Sequence, residues 1–359
     1  MKVIQIISTL EFGGVEKYAV QLHNELRSEL CNEGVESYFL SLNTGPLIEL
    51  LSNREHTLIL EHKNKMNSIL KAVKFIKHNK IDIIHAHNDS IIYAVLLKLV
   101  TGTKIVFHNH HGSMGIKKSS KYSRIKLISP FLNYVITVNE RLESFSKKYL
   151  LLSKLKIKYI PNFICTSKSG SIPSLPGEKS KRVVCLANLN PVKDHLTLIK
   201  AFELVVKSVP EAILILIGDT KNETYKTTIE TLVLNQNLSE NVYFTGAVLN
   251  PQDYMNQCSI GVLASKMEAF PLSLLEYSTS SLAVVVSDVG QIASVLENGK
   301  LGLLVRPGDI NGFAESMIKL LTDEIMRATY SKLLFSKVEN TFGKNKIIKQ
   351  ITKVYNDLL

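Results

Sequence analysis

The stretch MEAFPLSLLEY (267–277) sets two carboxylates, Glu268 and Glu276, eight residues apart in apolar surroundings, with a proline between them. Acid groups enter such segments with partners, because an unpaired charge there is costly. A carboxylate can take both hydroxyl donors of a ribose, or pair with a cation. Pro271 suits the first turn of a helix, where no backbone N–H is needed. Free N–H groups around Leu272 and Ser273 would then face an anion. Glu268, Ala269 and Phe270 form the loop before that helix, and Glu276 lies about one turn inside it. Two acceptors flanking a phosphate-sized site is one reading. A surface glutamate plus a lysine-paired glutamate is the other, and spacing alone does not choose.

Other stretches add to the inventory. In LANLNPVKDH (186–195), Lys193 falls in a strand-to-helix turn, where it would neutralise a phosphate; taken alone, a surface lysine beside Asp194 is the stronger reading. Gly13 and Gly14 in EFGGVEKY allow backbone approach to a ligand, or merely a tight turn. They are not a G-x-G-x-x-G, so a dinucleotide site is poorly supported. FHNHHG (107–112) clusters His108, His110 and His111 at a strand end, and IIHAHN (83–88) puts His85 and His87 on one strand face. Imidazoles serve as ligands, acid–base groups or hydrogen-bond donors; His85 and His87 could each be a satisfied core histidine, and for His85 that role is preferred. Zinc would want further ligands, and none shows matching spacing. Gly218 and Asp219 end another strand, as does Gly246. No Asp-x-Asp occurs, so a metal-held diphosphate is not expected and its charge falls to lysines and a helix terminus.

These residues need elements to hold them. Apolar runs such as KVIQIIS, TKIVFH, RVVCLA, AILILIG and LAVVVSD alternate with amphipathic segments at helical spacing. Continuous β-branched runs in such alternation mean parallel sheets covered on both faces. The chain has 359 residues, 45% of them hydrophobic, which is long for one core. Two doubly wound α/β domains are predicted, over 1–164 and 182–340, with a Ser/Pro/Gly/Lys-rich linker at 165–181 and a terminal amphipathic helix at 341–359. The pattern itself does not give that helix's docking site; it is expected to pack back on the N-terminal domain. Ligands of such sheets lie beyond the strands' carboxyl ends, so the expected site is a cleft between the domains.

The net charge is +11, and it is concentrated early: 23 Lys/Arg against 13 Asp/Glu in 1–164, and 20 against 19 in 165–359. An anionic partner or mere solubility accounts for that. Nucleic-acid signatures are absent, so no nucleic acid is expected. Four scattered cysteines and no signal peptide or membrane span predict a cytoplasmic protein with free thiols.

In order along nearly the whole chain, GGVE, IDIIHAHN, FHNHHG, IPNF, LANLNPVKDHLTLIKAF, LILIGD, VYFTG, EAFPLSLLE, VVVSDVG and GLLVRPGD resemble glycosyltransferase family 4, retaining transferases of the GT-B fold. The resemblance implies a metal-independent, hexosyltransferase-type enzyme that needs no cofactor beyond its nucleotide diphosphate sugar donor. Its acceptor would be a glycan or lipid-linked molecule, in capsule, exopolysaccharide or O-antigen/lipopolysaccharide assembly. By the same resemblance Glu276 binds the donor ribose and Glu268 lies by the donor sugar. Lys193 meets the diphosphate, and Gly13 and Gly14 approach it. His110, with His111 as the alternative register and His87 on the acceptor side, is near the reacting centre. Asn188 stands where the family has an arginine, Ala269 and Phe163 where it has glycines. GIKKSSKYSRIKL (115–127) and KKYLLLSKLKIK (147–158) mix cations with apolar residues, which suits peripheral attachment to an anionic membrane face, or simply solvent. The rival readings are a nucleotide-sugar 2-epimerase of the same fold and a non-enzymatic two-domain solute-binding protein; the N-terminus lacks the secretion signal the last would carry.

Overall fold

A computed structural model describes the chain except residues 29–33, 53, 61–64, 111–119, 164, 166–169, 171–173, 221, 269 and 271; for 65 and 120–122 it describes the backbone only. Two compact units result: Met1–Phe163 together with Lys344–Leu359, and Ile164–Gly343.

The first unit runs β1 (Lys2–Ile7), α1 (Gly14–Arg27), β2 (Glu36–Ser41), β3 (Thr57–Ile59), α2 (Lys65–Asn79), β4 (Ile83–His87), α3 (Ile91–Thr101), β5 (Lys104–Asn109), α4 (Ser120–Ile128), β6 (Tyr134–Thr137), α5 (Glu140–Tyr149) and β7 (Ile157–Tyr159). The second runs β8 (Arg182–Leu186), α6 (His195–Ser208), β9 (Ile213–Ile217), α7 (Glu223–Asn235), β10 (Val242–Gly246), α8 (Pro251–Met255), β11 (Ile260–Leu263), α9 (Leu272–Thr279), β12 (Ala283–Ser287), α10 (Ile292–Val295), β13 (Leu303–Val305), α11 (Ile310–Thr322) and α12 (Glu324–Phe342). A last helix, α13 (Lys344–Asn356), belongs to the first unit.

Both sheets are parallel among the described residues, ordered β3-β2-β1-β4-β5-β6-β7 and β10-β9-β8-β11-β12-β13. These are the predicted doubly wound α/β units. Central strands such as β9 (ILILI) and β12 (AVVVS) are buried at every position, because helices cover both faces. Strand order reverses between β1 and β4, and between β8 and β11. Crevices for ligands open at such points, beyond the carboxyl ends.

The segment expected as a linker is fastened to the second unit where described. Gly170 N–H donates to the Asp253 carboxylate, and Leu175 N–H to Gln257 Oε1 at 3.1 Å. The Arg182 guanidinium donates to the carbonyls of Leu175, Pro176, Gly177 and Gln257. A planar five-donor group can hold four carbonyls at once, which a loose spacer would not offer. The later boundary falls after Gly343, because α12 continues unbroken to Phe342.

The docking site of α13 is also resolved. Ile347, Ile348, Ile351, Thr352, Val354 and Tyr355 are buried. Lys344 Nζ pairs with Glu25 of α1 at 3.0 Å, and Lys104 donates to the Leu358 carbonyl. Among the described cysteines, Cys165, Cys185 and Cys258 are free thiols. No helix is long and apolar enough to cross a membrane, among the described residues.

Candidate functional site

The carboxyl ends of β8, β9 and β11 bring the predicted residues of the second unit together. After β8 the chain enters a short turn, Pro191–Lys193. Asn190 caps it: its Oδ1 accepts from the N–H groups of Val192 (3.0 Å) and Lys193 (3.2 Å). The turn closes on Asp194, in the left-handed region at φ +50°, a conformation aspartate tolerates. Lys193 Nζ is thereby carried to Glu268 Oε1, 2.6 Å away, and Ser265 Oγ donates to the same oxygen at 2.7 Å. The Glu268 side chain is 9% exposed and that of Lys193 24%. Of the three lysine donors, one goes to this carboxylate.

Two further ties hold the turn to the loop after β11. Lys266 N–H donates to the Val192 carbonyl at 2.8 Å, and Lys266 Nζ meets the buried Asp194 carboxylate at 3.2 Å. Asp194 also accepts from Thr197 Oγ1 at 2.8 Å, at the start of α6.

Asn188 and the end of β9 meet as well. Asp219 N–H donates to Asn188 Oδ1 at 3.4 Å, and Leu189 N–H to the Asp219 carbonyl at 2.8 Å. Gly218 has φ +153°, and a Cβ there would lie 2.3 Å from the Ala187 carbonyl oxygen. Only glycine lets the two strand ends approach this closely.

Helix α9 begins at Leu272, with Ser273 buried in its first turn and Phe270 buried before it, its ring against Phe342. Ala269 and Pro271 lie outside the described residues. Glu276 is half-buried in the second turn. Its neighbour Tyr277 fixes the helix. The Tyr277 hydroxyl accepts from Leu186 N–H (2.7 Å) and donates to the Val262 carbonyl (3.0 Å), bridging the ends of β8 and β11. These strands pair only as far as Val184 and Gly261. Beyond that they part, and the phenol fills the break.

In the first unit, Gly13 is extended (φ −162°, ψ 151°), a conformation open to any residue, and Gly14 opens α1. His110 follows β5 and is 8% exposed; its N–H donates to Asn88 Oδ1 at 2.8 Å. His111 lies outside the described residues. His87, the acceptor-side or alternative candidate, is 1% exposed, with Nδ1 on His110 Nε2 (3.1 Å) and Nε2 on Gln5 Oε1 (2.9 Å).

His85, His87 and His108 bring possible metal-ligand atoms within 4.8 Å of one another. Their rings stack, His85 on His87 at 9° and His85 on His108 at 19°. Of their six ring nitrogens, five are in hydrogen bonds and His108 Nε2 alone lacks a partner. In this structure these nitrogens are joined to one another, to His110, to Gln5 and to Tyr355 by hydrogen bonds. Burial pushes His85 and His108 well below the ordinary value of 6.5 and His87 down to about 3, so these rings are neutral.

Sequence reasoning missed Ser265, Lys266, Tyr277, Asn88, Gln5 and Tyr355, each acting through a hydrogen bond or ion pair. Ser265 and Lys266 directly precede the quoted stretch, and Asn88 closes another, so adjacency was the available signal. For Gln5 and Tyr355 there was none.

Residues 12–168 match the family described as Glycosyltransferase Family 4, and residues 171–333 the family described as Glycosyl transferases group 1. The chain is 23% identical over 380 residues to an Escherichia coli UDP-Gal:alpha-D-GlcNAc-diphosphoundecaprenol alpha-1,3-galactosyltransferase, covering 97% of this chain and 94% of that one. It is 30% identical over 182 residues to the Bacillus anthracis N-acetyl-alpha-D-glucosaminyl L-malate synthase, 51% of this chain and 47% of that one. Among solved structures it resembles Anabaena Alr3699/HepE in complex with UDP and glucose, with a TM-score of 0.84, 18% identity and 99% of each chain covered.

Proposed function

We propose, from the premise that this chain belongs to glycosyltransferase family 4 and is a glycosyltransferase, that it moves a sugar from a nucleoside diphosphate sugar to a glycan or lipid-linked acceptor. The second unit holds the donor and the first unit the acceptor side. The observation that carries this reading is a pair of contacts beyond the carboxyl ends of adjacent strands, Lys193 with Glu268 after β8 and β11 and Asn188 with Asp219 after β8 and β9. A leaving diphosphate develops negative charge there, and Lys193 with the N-terminus of α9 stabilises it. Glu276, one turn further on, takes the ribose hydroxyls, and Glu268 the donor-sugar side. Transfer with retention, without a metal, needs no strong base from the protein; His110 orients the sugar. Similarity to a UDP-Gal transferase that acts on a diphosphoundecaprenol-linked sugar, and to a fold solved with UDP, favours a uridine donor and a lipid-linked acceptor.

Calorimetric titration with a panel of nucleoside diphosphates tests the donor site. One diphosphate should bind preferentially, and Glu276→Ala should weaken it about tenfold or more. Unchanged affinity and turnover in Glu276→Ala would overturn the assignment. A mass-spectrometric screen of nucleotide sugars against lipid-linked oligosaccharides then identifies the product.

Attachment to an anionic lipid surface belongs to the same reading. Leu127, Phe131, Leu151 and Leu155 are exposed on the first unit, among Lys126, Lys147, Lys148, Lys154 and Lys156. Leu151 N–H donates to Ser129 Oγ at 2.8 Å, which brings the two segments side by side. Exposed leucines among lysines suit a lipid interface. Residues 115–119 lie outside the described part. Co-sedimentation with anionic vesicles that fades with salt supports attachment; none at low salt removes it.

A further inference from the structure

Glu268 is held from two sides, and both holds fall on one oxygen. Lys193 Nζ donates to Oε1 at 2.6 Å, and Ser265 Oγ donates to the same Oε1 at 2.7 Å. Oε2 takes no hydrogen bond from any described residue. A carboxylate offers two acceptor oxygens. Here one is fastened to the protein, and the other is left to accept from a ligand.

The two donors fix different things. The last torsion of a glutamate side chain is broad and two-fold, so a carboxylate held only by charge can exchange its oxygens. An ammonium on a flexible stem carries three donors and can follow either oxygen. It balances the charge without choosing a direction. Ser265 has a short side chain on a fixed backbone. The residue follows β11, which lies between β8 and β12, and it is fully buried. Next to it the Lys266 N–H donates to the Val192 carbonyl at 2.8 Å. Its hydroxyl therefore reaches Glu268 from one direction only and selects Oε1.

The spacing of the pair supports a task at the site. Ser-x-x-Glu is the pattern of a capping box, in which each side chain satisfies a backbone N–H at the start of a helix. No helix starts at Ser265, because α9 begins at Leu272. The two side chains bond each other instead, so the hydroxyl serves the carboxylate and not a helix end.

We infer that Ser265 is a positioning residue: by holding Oε1 it presents Oε2 to one hydroxyl of the donor sugar, and so sets which sugars the site takes. This rests on the reading that Glu268 lies on the donor-sugar side. An ionised carboxylate oxygen only accepts, so a sugar with a hydroxyl at that position is favoured and one without it is rejected. Lys193 remains the group that meets the diphosphate. Charge and direction are thus supplied by separate residues.

The test uses the full chain, the nucleoside diphosphate that binds in the titrations above, its hexose ester and the monodeoxy analogues of that ester. In the unaltered protein, one deoxy position should cost about tenfold or more in kcat/KM. Ser265→Ala should lower kcat/KM for the full donor about tenfold and shrink that one deoxy penalty to less than threefold. The other deoxy penalties should stay, and affinity for the bare diphosphate should change less than about twofold. Lys193→Met, by contrast, should weaken bare diphosphate and donor alike. Glu268→Ala should remove the same deoxy penalty as Ser265→Ala. A full penalty kept in Ser265→Ala but lost in Glu268→Ala overturns the inference alone. So does a Ser265→Ala protein that binds the bare diphosphate as poorly as it binds the donor, the outcome of a loosened loop. A penalty kept in both variants means instead that Glu268 does not meet the sugar, and the reading beneath the inference fails with it.

Discussion

Lys193 Nζ and Glu268 Oε1 meet at 2.6 Å although 75 residues separate them. The contact exists because β8 and β11 are neighbours in the sheet and each is followed by a turn over its carboxyl end. The pair is little exposed, so it bears on stability and on ligand binding alike. Lys193→Met leaves a nearly buried carboxylate without its cation, at a cost on the order of 1–3 kcal/mol. That variant should unfold at lower urea and lose nucleoside diphosphate binding. Adding Glu268→Gln should recover the stability, since an amide needs no counter-charge, and leave binding lost. Urea melts beside calorimetric titrations separate the two effects; recovery of both would mean that Lys193 serves the fold alone.

Tyr277 makes a second prediction. Its ring lies against β11 at Gly261, where a Cβ would come within 2.5 Å of the ring. Its hydroxyl satisfies Leu186 N–H and the Val262 carbonyl. Tyr277→Phe strands both groups in the interior and should cost about 1–3 kcal/mol. Gly261→Ala should cost a similar amount by displacing the ring. Both should weaken nucleotide binding, because α9 carries Glu276 and takes its seat from Tyr277. Melting curves with and without nucleotide check this; a Gly261→Ala protein of unchanged stability would refute the packing argument.

Asn188 brings no charge to the strand ends, and Lys266 is the other cation on the loop after β11. Its ammonium is 56% exposed at the side chain and 3.2 Å from Asp194. Lys266→Met should raise the donor KM several-fold and flatten its salt dependence. Asn188→Arg, placing a guanidinium at the exposed position beside Asp219, should restore both. Steady-state kinetics at two ionic strengths give the answer, and an unaltered KM in Lys266→Met would leave the charge to Lys193 and α9.

The fold was legible because its signals are local and repeated: continuous apolar runs for buried parallel strands, amphipathic spacing for the helices over them. The second-unit site was half legible. Lys193 and Glu268 stood out as charges near strand ends, yet their pairing depends on which strands are neighbours, and spacing does not encode sheet order. Ser265 and Tyr277 have no distinguishing chemistry in the sequence; a phenol filling the break between β8 and β11 is a three-dimensional fact. The surroundings of His87 were illegible for the same reason. A histidine at a strand end reads alike whether it faces a ligand or a neighbouring ring. The partner that settles it, Gln5, comes from β1, and β1 lies beside β4 only in the folded sheet.

Acid should act on the two units unequally. Burial lowers His23 and His87 to about 3 in the first unit, with His85 and His108 also far below 6.5, and His195 to about 4 in the second. Folded, these rings stay neutral until pH 3–4 or below; unfolded, they take protons from about 6.5 downward. Their stabilising share is therefore whole above about 6.5 and is lost as pH falls towards 3–4. At pH 5 each ring has given up ~2 kcal/mol. Among the described residues the first unit holds four such rings and the second one, so its melting transition should drop further. Calorimetry at pH 7.5 and pH 5 should show two endotherms drawing apart, the one from the first unit falling. A common shift of both, or none, would mean that these histidines are protonated in the folded chain.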